Sequence, residues 1–156
     1  MRPTRPPGKV GRGWIVLRIG LGLLILATGV GKVLDLPGFV RVIETYQLLS
    51  PAFLYSVAVT VAAGELILGV WLLSGWRPGT AARAAIAVNL AYAVLLALTL
   101  VRGLDLKNCG CFGVFLARPL RWFSPLEDLV FAGLSWLLYQ RVSPPPSGGR
   151  ESVAER

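Results

Sequence analysis

Residues 14–34 read WIVLRIGLGLLILATGVGKVL, an apolar run whose charged residues are Arg18 and Lys32. A helix needs about 20 mostly apolar residues to cross a bilayer core that is about 30 Å thick. Three further stretches reach or approach that length, at about residues 53–75, 82–101 and 125–140. The sequence therefore predicts an all-α integral membrane protein, a four-helix bundle that occupies residues 14–140.

The composition agrees with a membrane protein. Of the 156 residues 54% are hydrophobic and 15% are charged, and the mean hydropathy of +0.64 is too high for a soluble domain of this size. The net charge is +8, but the basic residues flank the apolar runs as topology signals do, so no nucleic-acid partner is predicted. The chain lacks histidine, which removes the commonest metal ligand and general base.

The distribution of Lys and Arg predicts the orientation of the helices, because short cytoplasmic loops carry the excess of positive charge. With both termini inside, nine basic residues lie on the inner side and six on the outer side. We predict a multi-pass protein of a bacterial inner membrane, with a basic cytoplasmic segment at residues 1–13 and a disordered cytoplasmic tail at residues 141–156. The polar loop at about residues 102–123 then lies on the extracytoplasmic face, where disulfides persist.

This polar loop contains Cys109-Gly110-Cys111-Phe112-Gly113, with the only two cysteines of the chain. Two thiols without histidine fall short of the four ligands of a structural zinc site, so no metal is predicted. A disulfide between residues two apart closes a very small ring, and strained disulfides tend to be oxidising and active in exchange. Cys109 and Cys111 are therefore the predicted catalytic residues. A passive role as small apolar side chains stays open.

Among the polar side chains inside the apolar runs, where such groups are costly and are functional candidates, three are expected to lie at a similar depth. They are Arg18, Glu65 and Asn89. Counted from the helix ends at about 1.5 Å per residue, all three reach a similar depth in the inner half of the bundle. We predict an ion pair between Arg18 and Glu65, with Asn89 hydrogen-bonded nearby. This cluster either fixes the helix register or forms a polar pocket for a quinone headgroup or a proton path.

Lys32 and Asp35 lie at the end of the first apolar run, on the cysteine side of the membrane, and are predicted to support the site. Two interpretations of Lys32 are open. Its ammonium group extends to the interface, or its charge lowers the pKa of a cysteine and so favours the reactive thiolate.

Two local patterns concern helix packing and helix ends. Close contacts between helices are favoured by the small residues Gly20, Gly22, Gly29 and Gly31. The start of the last helix is predicted at Ser124-Pro125-Leu126-Glu127, with a serine N-cap, a proline in the first turn and a capping-box glutamate.

From about residue 14 to residue 140, the sequence resembles the MauE branch of the DoxX-like membrane proteins. The resemblance rests on Arg18-Ile19-Gly20, Gly31-Lys32-x-x-Asp35, Tyr46-Gln47-Leu48-Leu49, Glu65-Leu66 with Gly69 and, most specifically, Cys109-Gly110-Cys111-Phe112-Gly113. It implies a redox-associated four-helix membrane protein, linked in methylamine metabolism to maturation of a disulfide-rich periplasmic enzyme subunit beside a thioredoxin-like partner. Other DoxX relatives are associated with quinone-linked oxidation of sulfur compounds.

The sequence supports three functional hypotheses for a protein whose constant partner is the lipid bilayer. The first is a membrane thiol–disulfide relay, a component of a thiol–disulfide oxidoreductase system. In this hypothesis Cys109 and Cys111 undergo thiol–disulfide exchange with a thioredoxin-like protein or an exported substrate protein, and a quinone is a candidate electron acceptor. The second is a non-enzymatic assembly or scaffold protein whose cysteines only brace the loop. The third is a quinone-binding bundle centred on Glu65.

Overall fold

The computed structural model describes residues 11–115 and 117–142. Over these residues the regular structure is all helical, which confirms the predicted fold class of an integral membrane helical bundle. Residues 1–10 and 143–156, which hold most of the predicted cytoplasmic segment and tail, lie outside the described residues. The helices are α1 (Arg12–Leu34), α2 (Leu36–Thr45), α3 (Pro51–Ser74), α4 (Pro78–Val101) and α5 (Ser124–Val142).

Within the described ranges, three helices are long and apolar enough to cross a membrane, namely α1, α3 and α4. Between 22% and 33% of their most apolar windows is buried inside the protein, so most of their apolar surface is free to face lipid. The predicted fourth helix is present as α5, but it is not among the helices that qualify as membrane spans. It has 19 residues and carries Glu127, Asp128 and Arg141, and these charges keep it below the apolar length of the other three.

The four long helices close into a bundle. α1 packs mainly on α3, α4 packs mainly on α5, and contacts of α3 with α4 and of α1 with α5 join the two pairs. Ala81, Ala82 and Ala85 are fully buried, and their small side chains let α4 approach its neighbours closely. At the opposite end of the bundle, α2 packs Phe39 and Val42 against the cysteine loop.

The antiparallel packing of α1 on α3 is offset along the bundle. Gly29 lies against Glu65 and Leu66, and Gly69 lies against Leu26. By this register α3 begins about ten residues, or about 15 Å, beyond the end of α1. α2 packs against this overhang of α3. As a result Glu65, although it is near the middle of α3, lies level with the last turns of α1.

The predicted close contacts of glycines are confirmed at two of four positions. A Cβ atom on Gly22 or Gly29 would lie within about 3 Å of α3. Gly31 makes its close contact with the cysteine loop instead, because an added Cβ would lie 2.7 Å from the Phe112 carbonyl oxygen. The prediction is wrong for Gly20, where an added Cβ would meet nothing within 4 Å.

The predicted start of the last helix is confirmed, but its predicted capping box is wrong. α5 begins at Ser124, followed by the predicted proline. The Ser124 hydroxyl accepts a hydrogen bond from the Arg121 N–H at 3.1 Å, outside the helix. The Glu127 carboxylate pairs with Arg118 at 2.8 Å and does not reach back to the helix start.

Gly69→Ala is expected to destabilise the bundle, because the added Cβ would lie 2.8 Å from the backbone of Leu26 in α1. The expected loss is about 1–3 kcal/mol, as for other overpacked interiors. Gly64→Ala on the same helix is the matched control, since nothing lies within 4 Å of its added Cβ. It should be neutral or slightly stabilising through helix propensity. Thermal unfolding in detergent measures both, and equal melting temperatures would contradict the close α1–α3 contact.

Candidate functional site

The cysteine loop is closed on itself by hydrogen bonds. The Cys109 N–H donates to the Arg118 carbonyl at 2.8 Å, and the Leu120 N–H donates to the Leu106 carbonyl at 2.8 Å. The Asn108 side chain spans the turn between them, accepting from the Gly110 N–H at 2.9 Å and donating to the Gly113 carbonyl at 3.0 Å. The loop is therefore an ordered element with the two cysteines at its turn.

Two glycines allow this turn to dock on α1. Gly110 and Gly113 have φ values of 75° and 70°, in the left-handed region that favours glycine. A Cβ on Gly113 would overlap the Gly31 carbonyl, so the turn and the last turn of α1 meet backbone to backbone. Both glycines of the Cys-Gly-Cys-Phe-Gly stretch therefore have a backbone conformation that other residues rarely adopt.

Lys32 ties the loop to the bundle. Its ammonium group donates to both Glu65 oxygens, at 2.9 and 2.7 Å, and to the Cys111 carbonyl at 2.8 Å. These bonds use all three of its protons. Glu65 also accepts a hydrogen bond from the Tyr92 hydroxyl of α4. The side chains of Lys32 and Glu65 are only 2% and 4% exposed, so the interpretation that Lys32 extends to the interface is wrong.

The predicted Arg18–Glu65 pair is wrong. The Arg18 guanidinium donates to the carbonyls of Leu72 and Leu73 at the end of α3, where helix carbonyls lack partners. The cause is the overhang of α3, which moves Glu65 away from Arg18 and up to Lys32. Counting depth from the helix ends assumes that the two helices end at the same level, and here they do not.

The two remaining supporting residues have local partners. Asn89 is buried and lines the same cavity as Glu65, but its amide donates to the Ala85 carbonyl of its own helix at 2.8 Å. The predicted hydrogen bond from Asn89 to the ion pair is therefore wrong. Asp35 accepts a hydrogen bond from the Gly38 N–H at 2.9 Å and so caps α2.

The two thiols differ in acidity although they lie side by side. They are free, and their sulfurs are 2.9 Å apart. The hydrogen bond between the two sulfurs lowers the pKa of Cys109 to about 6, with a further contribution from the positive charge of Arg118. The pKa of Cys111 is raised, first by the same hydrogen bond and second by burial. At neutral pH the site therefore holds a Cys109 thiolate beside a Cys111 thiol.

The charge of Lys32 does act on a thiol in the predicted direction, but its effect is small. It lowers the pKa of Cys111, yet the hydrogen bond to Cys109 and burial outweigh it, so the net shift is upward. Lys32 touches the carbonyl of Cys111, and its main contribution is to hold the loop.

Sequence reasoning missed several residues of the site. The Tyr46 hydroxyl donates to the Cys109 carbonyl at 2.6 Å, and Arg102 in turn donates to the Tyr46 carbonyl at 2.7 Å. Tyr92 had a usable signal, because it follows Asn89 by three residues and so shares its helix face. Arg118 and Asp128 had no usable signal, because charged side chains in a polar loop and in the first turns of a helix are ordinary there.

A cavity of about 540 Å³ joins the cysteine loop to the middle of the bundle. Most of its lining is apolar, and its polar lining includes Lys32, Glu65, Asn89, Tyr92, Cys109, Cys111 and Asp128. Cavities of this size and character are typical of small-molecule sites. Among the described side chains of His, Cys, Asp and Glu, no three come together as metal ligands.

The fold and the site define a multi-pass helical membrane protein with a paired-cysteine loop docked on a buried ion pair. The chain belongs to the MauE family. The family model, described as "Methylamine utilisation protein MauE", matches residues 12–140. The resemblance seen in the sequence is thereby confirmed.

Among individual proteins, the chain is similar to the methylamine utilization protein MauE of Paracoccus denitrificans, with 32% identity over 119 residues. The match covers 76% of this chain and 64% of that relative, so the chain spans less than two thirds of the relative's length. No solved structure matches the chain.

The two cysteines are expected to differ in their rate of alkylation. Cys109 should react with iodoacetamide in proportion to its thiolate, rising with pH through about 6, while Cys111 stays largely unmodified at neutral pH. Arg118→Gln should move the Cys109 midpoint to higher pH because a stabilising charge is lost, whereas Arg121→Gln, an exposed neighbour, should not. Mass spectrometry after timed alkylation gives both rates. Equal rates with midpoints near the ordinary thiol value of about 8.5 would contradict the assignment.

Removing one member of the buried ion pair is expected to cost more than removing both. Glu65→Gln leaves the Lys32 charge buried without its partner, at a cost of about 3–5 kcal/mol, and Lys32→Met should cost a similar amount. The double variant should lose less than the sum of the two. The exposed Arg118–Glu127 pair is the control, and Glu127→Gln should cost at most about 1 kcal/mol. Unfolding of the purified protein measures this cycle, and additive losses would contradict the coupling.

Proposed function

We propose that this protein is a membrane thiol–disulfide relay whose exchanging residues are Cys109 and Cys111. The observation that carries the proposal is the geometry of the pair: the two sulfurs lie 2.9 Å apart in a loop whose backbone is held by Tyr46 and Lys32. In agreement with this, the pKa of Cys109 is lowered and that of Cys111 is raised. Pairs with divergent acidity are typical of exchange sites, because one sulfur reacts while the other resolves the intermediate.

The exchange balances without any further reagent. A thiolate of the partner attacks the Cys109 sulfur of the Cys109–Cys111 disulfide, forming a mixed disulfide and releasing the Cys111 sulfur. A second partner thiolate then attacks the partner's own sulfur in that mixed disulfide and releases Cys109. The partner dithiol is oxidised to a disulfide, and the two electrons remain on the reduced Cys109 and Cys111.

The partner of this exchange is proposed to be a thioredoxin-like protein or an exported substrate protein on the extracytoplasmic face of a bacterial inner membrane. The support for this side is the excess of Lys and Arg at the opposite ends of the helices, which favours a topology with both termini in the cytoplasm. The name of the Paracoccus relative connects that protein with methylamine utilization. For this chain, a role in methylamine metabolism is part of the proposal.

A quinone fits the cavity as a candidate electron acceptor. The cavity volume of about 540 Å³, the apolar lining and the few polar groups suit an aromatic ring with oxygen substituents. Bound there, such a group would accept two electrons and two protons. Cys111 lies in the cavity wall, while Asn89 and Tyr92 are available to orient a polar substituent. The same fit favours, as a second candidate, a quinone-binding protein whose cysteines take no part.

A scaffold role is the remaining alternative, and one observation favours it. Both cysteine carbonyls are anchored, by Tyr46 and by Lys32, so the loop keeps its backbone position without any contribution from the sulfurs. A scaffold would therefore survive the loss of both thiols, whereas a relay would not.

The relay predicts a defined pattern of labelling in intact cells. A membrane-impermeant maleimide should label the cysteines only after mild reductant is added, because the relay rests as an extracytoplasmic disulfide. Labelling that requires permeabilised cells would contradict the proposed side of the membrane. Immediate labelling of both thiols would contradict an oxidising relay.

Single variants complete this test. Cys111→Ser should accumulate a mixed disulfide with an oxidised partner on non-reducing gels, because Cys109 attacks the partner disulfide and the thiol that resolves the intermediate in this reverse direction is absent. Cys109→Ser should not. If the double serine variant supports the same maturation of exported disulfide proteins as the parent, the relay is wrong. Loss of that activity on narrowing the cavity with Asn89→Leu, in a background that tolerates the double serine change, would then favour the quinone-binding protein.

A further inference from the structure

Asp128 is a half-buried carboxylate for which the exchange described above has no role. It lies in the second turn of α5, and its Oδ2 atom is buried without a hydrogen-bond partner among the described residues. Leaving a buried acceptor unpaired costs about 1–3 kcal/mol, and more for a charged group. Such a group is therefore a candidate for chemistry.

The carboxylate shares its surroundings with the two thiols. Asp128, Cys109 and Cys111 all line the cavity of about 540 Å³ that extends under the loop. The negative charges of Asp128 and of the sulfurs act on one another strongly enough to contribute to the raised pKa of Cys111. Cys111 is the more deeply buried of the two thiols, so its proton has a restricted route to solvent.

The other charged and titratable groups that face Asp128 are already engaged. Lys32 of α1 and Glu65 of α3 bind each other, and Glu65 also accepts from Tyr92 of α4. The Tyr46 hydroxyl donates to the Cys109 carbonyl. Glu127, the neighbour of Asp128 on α5, pairs with Arg118. Among the described carboxylates that line this cavity, Asp128 is the one whose side chain has neither an ion-pair nor a hydrogen-bond partner.

The exchange reaction needs such a group. When a partner thiolate attacks Cys109, the Cys111 sulfur must leave, and a thiol with a raised pKa is a slow leaving group unless it is protonated. In the reverse direction Cys111 must lose its proton before it can attack Cys109. Both directions call for a proton donor and acceptor beside Cys111.

We propose that Asp128 is the acid–base group that exchanges a proton with Cys111, an inference that deepens the relay and rests on it. In the forward step the Asp128 carboxyl gives its proton to the Cys111 sulfur as the Cys109–Cys111 bond breaks and the bond from Cys109 to the partner forms. In the reverse step the Asp128 carboxylate takes the Cys111 proton. The Cys111 thiolate then attacks Cys109 and expels the partner thiolate.

A small aromatic disulfide, dithiobis(nitrobenzoate), isolates the reverse step without any protein partner. Mixed with the reduced full chain in detergent, it should react first with the Cys109 thiolate. The disulfide of the reagent breaks, one half forms a mixed disulfide with Cys109, and the other half leaves as the first coloured thiolate. When Cys111 closes the ring on the mixed disulfide, a second coloured thiolate is released. Asp128→Asn should leave the first phase unchanged and slow the second by about 10²-fold, at the lower end of the range for general acid–base catalysis.

Three controls make the result specific. Cys111→Ser should abolish the second phase, and this result would assign the second phase to the attack of Cys111. Asp105→Asn removes an exposed carboxylate of the same loop and should change neither phase. Asp128→Glu restores a carboxylate and should recover part of the second phase, whereas a purely structural fault would persist. An unchanged second phase in Asp128→Asn, or equal slowing in Asp105→Asn, would overturn the proposal.

The pH profile of the parent protein provides a measurement that needs no variant. Asp128 accepts a proton only as the carboxylate, so the second phase should fall as pH falls through the titration of Asp128. A second phase proportional to hydroxide concentration throughout would show that Cys111 ionises without assistance and would overturn the proposal.

The outcomes for Asp128 and for the relay are distinguishable. Trapping of a partner by Cys111→Ser together with an unchanged second phase in Asp128→Asn would contradict the acid–base role and leave the relay standing. A slowed second phase without any trapped partner would support the proton exchange and contradict the relay.

Discussion

The buried ammonium group of Lys32 is the constraint on which the rest of the structure depends. A charge in the interior of a bundle is tolerated only when its hydrogen-bonding capacity is met. Lys32 donates hydrogen bonds to Glu65 and to the Cys111 carbonyl, and Glu65 also accepts a hydrogen bond from the Tyr92 hydroxyl. One side chain therefore joins α1, α3 and the cysteine loop directly, and α4 through Glu65.

This arrangement separates support from reactivity. The loop is held by the carbonyl oxygens of its two cysteines, which accept from Tyr46 and Lys32, so the sulfurs carry none of the structural bonds to the helices. The sulfurs are left to interact with each other, and that contact lowers the pKa of Cys109. A rigid backbone with unencumbered thiols suits a site that changes its covalent state during function.

The sequence predicted the helices and the loop better than it predicted their partners. The length of the apolar runs alone locates three spans. The two glycines of the cysteine loop are the residues that adopt its left-handed backbone conformation. The partner of Glu65 was missed, because it depends on an overhang of α3 that is set by contacts such as Gly69 with Leu26. Periodicity within one helix carries no information about that offset. Asp128 was missed because a carboxylate in the first turns of a helix has an ordinary explanation there.

The bonds of Lys32 also impose an order on assembly. Its bonds to Glu65 join residues 33 apart, whereas its bond to Cys111 joins residues 79 apart. Chains fold progressively from the N-terminus during synthesis, so α1 and α3 can pair before the loop has been made. The loop can close on them only after residues 109–113 have been made, so the bond from Lys32 to the Cys111 carbonyl is formed later than the bonds to Glu65.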